Sequence, residues 1–406
     1  MPVDELVRWM ERVSGPGWKW YVKILSGNDT LANESHQAGP YIARRVIFEQ
    51  FPSIEASHEL NPRVQFPVRI DSHGSETDAT AIWYNNKVVA DGTRNEARVT
   101  GWGGRQSPIL DPDSTGSVCV LAFHRADGRD TDECRVWLCS TPEEEDALEE
   151  RLGPVEPGIP LYYDASGQSE HPVVPLEVEG ACRLAADQLP PAWRMNFPAA
   201  AEIVATAVQL RPNSRRQPVD DRLLVRRECE FELFRSVEEV VVLPRIREGF
   251  ATVDLFVDFA NAVTNRRKSR SGASLQLHAK TVFDEERLPY SFDEFSEGRK
   301  RPDFLFPSAH AYRNAGFPAE RLRMLAAKTT CKDRWRQILN EADRVPRKHL
   351  LTLQEGISPH QFAEMQDEAV TLVVPRRLHD SYAEAIRPQL LTLERFMAET
   401  RAITGG

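Results

Sequence analysis

The chain has 406 residues, of which 41% are hydrophobic, and a formal net charge of −10. This length is enough for two or three domains with cores of their own, and no apolar run approaches the roughly 20 residues that a membrane helix needs. The N-terminus also lacks the basic start and unbroken apolar region of a signal peptide. The composition therefore argues against a membrane protein and predicts a cytoplasmic one.

The charge is divided unevenly along the chain. Residues 1–180 carry 16 Lys and Arg against 30 Asp and Glu, a net charge of −14, which leaves +4 for residues 181–406. Because local patches of cations decide binding to a polyanion, the acidic total does not argue against a nucleic-acid partner. The six cysteines are scattered and include no C-x-x-C pair, so we predict reduced thiols and no zinc site.

The first part of the chain is predicted to be β-rich. Short apolar or alternating runs occur at residues 18–25, 64–70, 80–84, 117–124 and 135–140, separated by Gly, Pro, Asn and Asp turn signals. Strands at this density indicate a barrel or a sandwich. Prolines and glycines then crowd residues 153–198, which we interpret as a linker, so the first domain is assigned to residues 1–152.

Helices and strands alternate in the remaining residues, 199–406. Apolar residues at helical spacing occur at 199–208, 221–243, 253–263, 273–286, 358–366 and 382–400, with strand-like runs at 350–353 and 370–374. Interleaved helices and strands are typical of an α/β domain. The predicted fold class is therefore a multidomain α+β protein, with a β-rich N-terminal domain and an α/β C-terminal domain.

One stretch of the second domain carries the residues that metal-assisted hydrolysis of a phosphodiester requires. Asp303 opens an alternating apolar run, Lys328 ends the next short strand candidate, and Glu341 borders the apolar face of a helix predicted over residues 333–343. Two carboxylates can hold Mg²⁺, which neutralises charge on the phosphate, while a lysine orients or deprotonates the attacking water. We therefore assign Asp303 and Glu341 to the metal and Lys328 to the water and phosphate.

Each of these residues alone has an ordinary explanation, as a turn residue, a strand-end charge or a solvated helix carboxylate. Their combination, with Lys332 four residues after Lys328, favours a functional site. The pattern resembles the PD-(D/E)xK nuclease superfamily with one departure. Ala326 stands where an acidic residue is expected, and Glu341 would replace it from the helix.

Two other segments carry side chains that suit DNA. Arg94, Glu96 and Arg98 near a predicted turn offer hydrogen bonds to base edges, and His36 and Tyr41 could add phosphate or base contacts. The alternative is a hydrophilic loop with ordinary surface arginines.

Four cations fall within six residues between two predicted helices; they are Arg266, Arg267, Lys268 and Arg270. They can bind phosphates or guanines. The alternative is a solvated charged turn.

At these residues the chain resembles the EcoRII-type restriction endonucleases. The blocks that carry the resemblance lie in both halves of the chain, at residues 61–62, 93–96, 265–270, 301–309 and 328–343. The resemblance implies an N-terminal effector domain similar to the plant-type DNA-binding pseudobarrel and a C-terminal restriction-endonuclease-like domain. It also implies a homodimeric, Mg²⁺-dependent enzyme that cleaves double-stranded DNA before the first C of a CC(A/T)GG-like site. The N-terminal domain would cover the catalytic cleft until an additional site is bound.

Carried over by motif, the resemblance assigns the active site to Asp303, Lys328, Lys332 and Glu341, with Tyr312 near it, and the effector surface to His36, Tyr41, Arg94, Glu96 and Arg98. Gly92 and Ala97 stand in place of cations that flank the family's effector loop, which weakens phosphate contacts there, and Gln276 stands where the family motif carries Glu. Two alternatives remain open: a DNA-binding regulator with an inactive nuclease-like domain, and a nuclease that selects mismatches or DNA structure.

Overall fold

The computed structural model describes residues 2–34, 39–126, 128–167, 173–175, 181–213, 217–332 and 334–404. The chain divides into two compact units. Unit 1 contains Met1–Glu177, Gln354–Phe362 and Asp380–Ile386, and unit 2 contains Val178–Leu353, Ala363–His379 and Arg387–Gly406. No helix in the described ranges is both long and apolar enough to cross a membrane. The domain limits drawn from the sequence, at residues 152 and 199, stay predictions.

Unit 1 is built on an eight-stranded sheet. Its strands are β1 (Trp18–Ile24), β2 (Arg63–Ile70), β3 (Ser75–Tyr84), β4 (Glu96–Thr100), β5 (Val118–His124), β6 (Glu133–Leu138), β7 (Leu161–Asp164) and β8 (Val173–Pro175), in the order β4-β3-β2-β6-β5-β1-β7-β8. Its helices are α1 (Pro2–Arg12), α2 (Arg44–Gln50), α3 (Pro52–Ala56), α4 (Asn86–Val89) and α5 (Pro142–Leu152), with 3-10 helices at Asp71–His73, Gly104–Gln106 and Pro112–Ser114. The five runs predicted as strands correspond to β1, β2, β3, β5 and β6.

The sheet of unit 1 is covered on both faces. In β1, Trp20 and Val22 belong to a cluster with Trp9 of α1, whereas Tyr21 belongs to a second cluster with Val46 of α2. Alternate residues of a strand point to opposite faces, so both faces of β1 are buried. This double burial explains why apolar side chains occur on both faces of the strand rather than in a clear alternation with polar ones.

Unit 2 contains a five-stranded mixed sheet. Its strands are β9 (Ser291–Phe292), β10 (Phe304–Phe306), β11 (Arg323–Ala327), β12 (Lys348–Leu351) and β13 (Val370–Val373), in the order β13-β12-β11-β10-β9. The helices that follow α5 in the chain are α6 (Pro191–Met195), α7 (Ala200–Leu210), α8 (Val219–Glu248), α9 (Val253–Glu285), α10 (Ala309–Arg313), α11 (Pro359–Asp367) and α12 (Leu393–Thr404). Shorter 3-10 helices lie at Ala319–Arg321, Arg334–Ile338, Arg376–Ser381 and Arg387–Gln389. Strand β11 pairs antiparallel with β10 and parallel with β12.

The core of unit 2 joins this sheet to its long helices. Phe304 and Phe306 of β10 cluster with Phe283 of α9 and Phe396 of α12. The ring of Phe283 meets those of Phe304 and Phe306 edge-on, with centroids 5.1 and 5.5 Å apart, a geometry that aromatic rings prefer. The start of β10 is therefore held in place by tightly packed apolar residues.

Three predictions about local structure in unit 2 were wrong. The segment 264–272 is not a turn between two helices, because α9 runs without a break through Val253–Glu285. The helix predicted at 333–343 is replaced by the short 3-10 helix Arg334–Ile338, and α12 begins at Leu393 rather than near residue 382. Reduced thiols were also predicted throughout, whereas the structure joins Cys182 to Cys229 in a disulfide.

Candidate active site and DNA-binding surfaces

Asp303 lies immediately before β10, at the point where the chain enters the core of unit 2. Its Oδ1 accepts a hydrogen bond of 2.8 Å from Nε2 of Gln276 on α9, and its Oδ2 accepts one of 2.8 Å from the backbone N–H of Ala327. The carboxylate is thus fixed to a helix and to the neighbouring strand. Burial raises the pKa of Asp303, although the charge of Lys328 and both hydrogen bonds lower it.

Lys328 follows β11 directly. Because β10 and β11 are antiparallel, with Phe304 opposite Leu325, the start of one strand and the end of the other meet at the same edge of the sheet. Nζ of Lys328 lies 3.7 Å from Oδ2 of Asp303. Lys332 is half-buried in the segment that follows. The strand register therefore brings together the acid and the first lysine that the sequence pattern singled out.

Glu341 lies in a turn and not on the predicted helix. The chain leaves the 3-10 helix Arg334–Ile338 and reverses at Ala342, whose φ of 51° is in the left-handed region. The backbone N–H of Glu341 donates to the carbonyl of Ile338 at 3.0 Å. Although a turn rather than a helix carries Glu341, its half-buried side chain lies close enough to Asp303 for the two charges to interact.

The electrostatics of Glu341 set it apart from an ordinary carboxylate. Its pKa is raised to about 7, first by burial and then by the negative charge of Asp303, although Lys328 and Lys348 lower it. Its Oε2 is buried and has no hydrogen-bond partner among the described residues. Two carboxylates that repel each other, one of them with an unsatisfied oxygen, fit a divalent cation that prefers oxygen ligands.

Among the described residues, the two carboxylates assigned to the metal, those of Asp303 and Glu341, interact with each other. No group of three or more His, Cys, Asp and Glu that could hold a metal ion occurs within the part of the chain that the structure describes. Mg²⁺ does not require such a group, because it keeps several waters and is often bound through one or two carboxylates together with substrate phosphates. The residues present therefore fit Mg²⁺ better than a metal held by an all-protein cage.

Tyr312 supports the turn that follows Glu341. The phenol is buried on α10, donates to the carboxylate of Glu297 and accepts a hydrogen bond of 3.0 Å from the backbone N–H of Arg344. Burial and the hydrogen bond to Glu297 raise the pKa of Tyr312, so it stays neutral. These contacts place Tyr312 beside the turn, while a role in the reaction remains a prediction.

The cations of the basic run lie within α9, and two of them are paired with glutamates of α8. Arg267 makes two hydrogen bonds to Glu238, of 2.6 and 2.8 Å, and the buried Arg270 donates to Glu230 at 3.1 Å. The guanidinium of Arg266 lies 4.3 Å from the centre of the Phe197 ring, and Lys268 is half-buried. The glutamate partners of Arg267 and Arg270 help to explain why this run continues a helix rather than forms a solvated turn.

Four of the predicted effector residues of unit 1 line one cleft; they are Tyr41, Arg94, Glu96 and Arg98. Glu96 accepts hydrogen bonds from Arg94 and from Arg98, both 3.0 Å, and these bonds, that of Arg94 foremost, lower the pKa of Glu96. The guanidinium of Arg94 also lies 4.0 Å from the centre of the Tyr84 ring. Tyr41 is exposed, and its backbone N–H donates to Asp29 at 2.7 Å. His36 lies outside the described residues.

A cleft of about 970 Å³ connects these side chains in unit 1. Tyr41, Arg94, Glu96 and Arg98 line it together with Arg44 and with Lys23, which is buried and paired with Asp29 at 2.7 Å. The carboxylates of Glu156 and Glu355 line it as well. Aromatic faces beside cations are suited to stacking and to phosphate contacts at once. Lys23 and Arg44 were missed in the sequence because they precede the arginine-rich loop by 50 residues or more.

Two residues of unit 2 were also missed as parts of the site. Gln276 appeared only as a departure from a family pattern, yet it donates directly to Asp303. Lys348, the first residue of β12, donates to the backbone carbonyls of Glu341 and Ala342. The resemblance to the family motif singled out the position of Gln276, although not its contact with Asp303. Nothing in the sequence around Lys348 indicated that it bonds the carbonyls of Glu341 and Ala342.

Comparisons with known proteins identify the family. The family described as "Restriction endonuclease EcoRII, N-terminal" matches residues 14–167, and the family described as "EcoRII C terminal" matches residues 234–397. The chain is also 43% identical over 395 residues to the type II restriction enzyme EcoRII of Escherichia coli, and the match covers 96% of each protein. Identity of this extent covers both units.

Solved structures show a weaker likeness. Metal-depleted Ecl18kI in complex with uncleaved, modified DNA is 14% identical, with a TM-score of 0.44, and the match covers 52% of this chain and 80% of that one. A complex of the restriction endonuclease PspGI with substrate DNA is 14% identical, with a TM-score of 0.43, and the match covers 55% and 98%. The sequence identity, rather than these structures, shows the family. The chain belongs to the EcoRII family of type II restriction endonucleases.

Proposed function

We propose that this chain is a Mg²⁺-dependent homodimer that cleaves double-stranded DNA before the first C of a CC(A/T)GG-like site. One observation carries the proposal: Asp303, Lys328 and Glu341 interact electrostatically at one edge of the sheet of unit 2. The similarity to the type II restriction enzyme EcoRII supports the same kind of substrate.

Asp303 and Glu341 would hold the metal ion. Bound there, Mg²⁺ would act as a Lewis acid toward the scissile phosphate and lower the pKa of a coordinated water. Gln276 and the N–H of Ala327 keep the Asp303 carboxylate turned toward the site. The ammonium of Lys328 can contact the phosphate and orient the attacking water, and Lys332 adds a second cation. Burial of the carboxylates strengthens each of these interactions.

A second DNA site would bind unit 1 and regulate cleavage. The cleft lined by Tyr41, Arg94, Glu96 and Arg98 is the surface for this effector DNA, with His36 as a further predicted contact. The N-terminal domain would cover the catalytic cleft until that site is filled, and the opposite net charges of residues 1–180 and 181–406 favour their association. Effector DNA must then bind the open state better than the closed one.

The basic run of α9 would contact DNA in the catalytic domain. Arg266, Arg267 and Lys268 are half-buried, whereas Arg270 is buried. Arg267 and Arg270 would have to exchange Glu238 and Glu230 for phosphates or base edges. Because arginine can form two parallel hydrogen bonds with either a carboxylate or a phosphate, this exchange conserves the bonding geometry.

Digestion of a plasmid of known sequence in the presence of Mg²⁺ tests the proposal. We expect discrete fragments whose mapped ends lie before the first C of CC(A/T)GG-like sites. Tight DNA binding without cleavage would instead support a regulator with an inactive nuclease-like domain, and a smear of products would support a structure-selective nuclease. Fragments with other shared ends would refute the site while leaving the chemistry intact.

A further inference from the structure

The turn that carries Glu341 has a backbone conformation that needs support. Ala342 adopts a φ of 51°, in a region where a residue with a Cβ is uncommon. Glu341 donates its backbone N–H to the carbonyl of Ile338 at 3.0 Å, and the turn that follows is closed by a hydrogen bond of 2.9 Å from the N–H of Val345 to the carbonyl of Ala342. These two backbone bonds leave the carbonyl of Glu341 itself to be held by another group, and Mg²⁺ demands close to ideal octahedral geometry from its ligands.

Lys348 supplies a direct connection between this turn and the sheet. Its Nζ donates to the carbonyl oxygen of Glu341 and, at 2.7 Å, to the carbonyl oxygen of Ala342. Lys348 is only 5% exposed, and it is the first residue of β12, which lies between β11 and β13 in the sheet. A buried ammonium that bonds two consecutive carbonyls fixes the peptide plane between them.

Other contacts hold the residues that come after Glu341. The N–H of Asp343 donates to Glu297 at 2.9 Å, and the N–H of Arg344 donates to the Tyr312 hydroxyl at 3.0 Å. These contacts fix the far side of the turn. Among the described contacts, Lys348 is the side chain that bonds the backbone of Glu341 itself. It belongs to β12, which pairs with β11, the strand that Lys328 follows.

We propose that Lys348 is a positioning residue that sets the place of the Glu341 carboxylate relative to Asp303 and Lys328. This inference rests on the proposed function, since it assumes that Glu341 is a metal ligand. Lys348 does not contact the reacting atoms. It acts through the 341–342 peptide, and partners of this second layer typically change metal affinity by roughly 10–100-fold when they are removed.

Lys348→Met tests the proposal, because methionine keeps much of the length of the side chain and cannot donate to the two carbonyls. We expect the Mg²⁺ concentration for half-maximal cleavage to rise roughly tenfold or more, while DNA affinity without metal stays at the wild-type value. Excess Mg²⁺ should recover part of the cleavage rate. Arg347→Met is the matched control: it removes an exposed cation that donates to Thr371 and has no described contact with the 341–342 peptide.

A second readout does not depend on cleavage. Mg²⁺ that binds the folded state raises the melting temperature of the protein, and the Mg²⁺ titration of this shift should move to higher concentration in Lys348→Met and not in Arg347→Met. Lys348→Arg, which retains a donor, should lie between wild type and Lys348→Met, and it provides the same titration if the methionine variant does not fold.

Two results would overturn the proposal: an unchanged Mg²⁺ titration in the folded Lys348 variants, or a loss of metal-free DNA binding as large as the loss of cleavage. The second result would assign Lys348 a purely structural role. Failure of the wild-type protein to cut DNA would count against the proposed function instead, and the melting titration would still report on Lys348.

Discussion

Two glutamates in different units have pKa values that shift in opposite directions. Glu96 in unit 1 lies between Arg94 and Arg98, and their hydrogen bonds hold its pKa below the usual range. Glu341 in unit 2 has a buried oxygen with no partner among the described residues, and its pKa rises to about 7. The Glu96 carboxylate is therefore balanced by two arginines, whereas the candidate active site keeps a carboxylate oxygen without a hydrogen-bond partner among the described residues although Lys328 lies nearby.

This difference suits the two proposed tasks. A surface that reads DNA needs donors whose positions are fixed in advance, and the Glu96 carboxylate fixes two arginines. A metal site needs carboxylates that gain stability when a cation arrives. We therefore expect substitutions at the candidate metal site of unit 2 to abolish cleavage, and substitutions at the proposed effector surface of unit 1 to alter its regulation.

The largest effect is expected from Asp303→Asn. The amide cannot supply the charge that holds the cation, so the single-turnover cleavage rate should fall by roughly 10³-fold or more, while DNA binding without metal is retained. Rapid-quench cleavage and gel-shift assays measure the two quantities. Glu320→Gln, an exposed carboxylate in the 3-10 helix Ala319–Arg321, is the control and should cleave normally. Cleavage by Asp303→Asn near the wild-type rate would remove this residue from the site.

Arg94→Ala should act on regulation alone. It removes a donor to DNA and leaves Glu96 with one arginine, so activation of single-site cleavage by added site-containing DNA should require roughly tenfold more DNA. Cleavage in the absence of activator should be unchanged. Arg105→Ala, an exposed arginine of the same unit outside the cleft, provides the comparison. Equal activation curves for Arg94→Ala and wild type would show that this cleft does not bind the effector.

The raised pKa of Glu341 predicts how metal-free stability depends on pH. Between the ordinary pKa of 4.5 and the folded value of about 7, the folded protein holds a proton that the unfolded chain has lost. Stability should therefore fall as the pH rises through this window. The glutamine of Glu341→Gln is neutral over the whole window. The decrease in the free energy of unfolding across it should therefore be smaller by about 1–2 kcal/mol in this variant. Melting temperatures measured across the window provide the test, and identical slopes for both proteins would contradict it.

Gln276→Glu should produce the smallest effect. It adds a carboxylate next to Asp303, where a neutral amide now donates. Repulsion should lower the metal-free melting temperature, and the added charge should lower the half-saturating Mg²⁺ concentration by a few-fold. Gln276→Leu, which removes the donor without adding charge, should not tighten Mg²⁺ binding. If Gln276→Glu and Gln276→Leu have the same half-saturating Mg²⁺ concentration, the added negative charge does not strengthen Mg²⁺ binding.

The sequence predicted the core of the site well because that part depends on local patterns. Alternating apolar residues indicated the strand after Asp303, and the short run before Lys328 indicated its neighbour. Adjacent antiparallel strands bring such ends together. The pairing that places Nζ of Lys328 3.7 Å from the acid follows from these two short segments.

The remaining parts depend on contacts between distant segments. Trp335 and Ile338 are buried as their spacing predicted, but the helix ends at Ile338. The chain then turns through Ala342, whose left-handed φ cannot be expected from an alanine. Arg267 and Arg270 resembled a solvated turn because their partners Glu238 and Glu230 lie 29 and 40 residues away.

Because β10 and β11 pair antiparallel, the effect of an inserted residue on the candidate site depends on where in the chain it is inserted. One extra residue between Asp303 and Phe304 would turn the acid toward the opposite face of the sheet, because successive side chains alternate. An extra residue in the exposed segment 318–320 would leave the pairing intact. An insertion before Phe304, the first residue of β10, should therefore abolish cleavage, whereas an insertion at 318–320 should be tolerated.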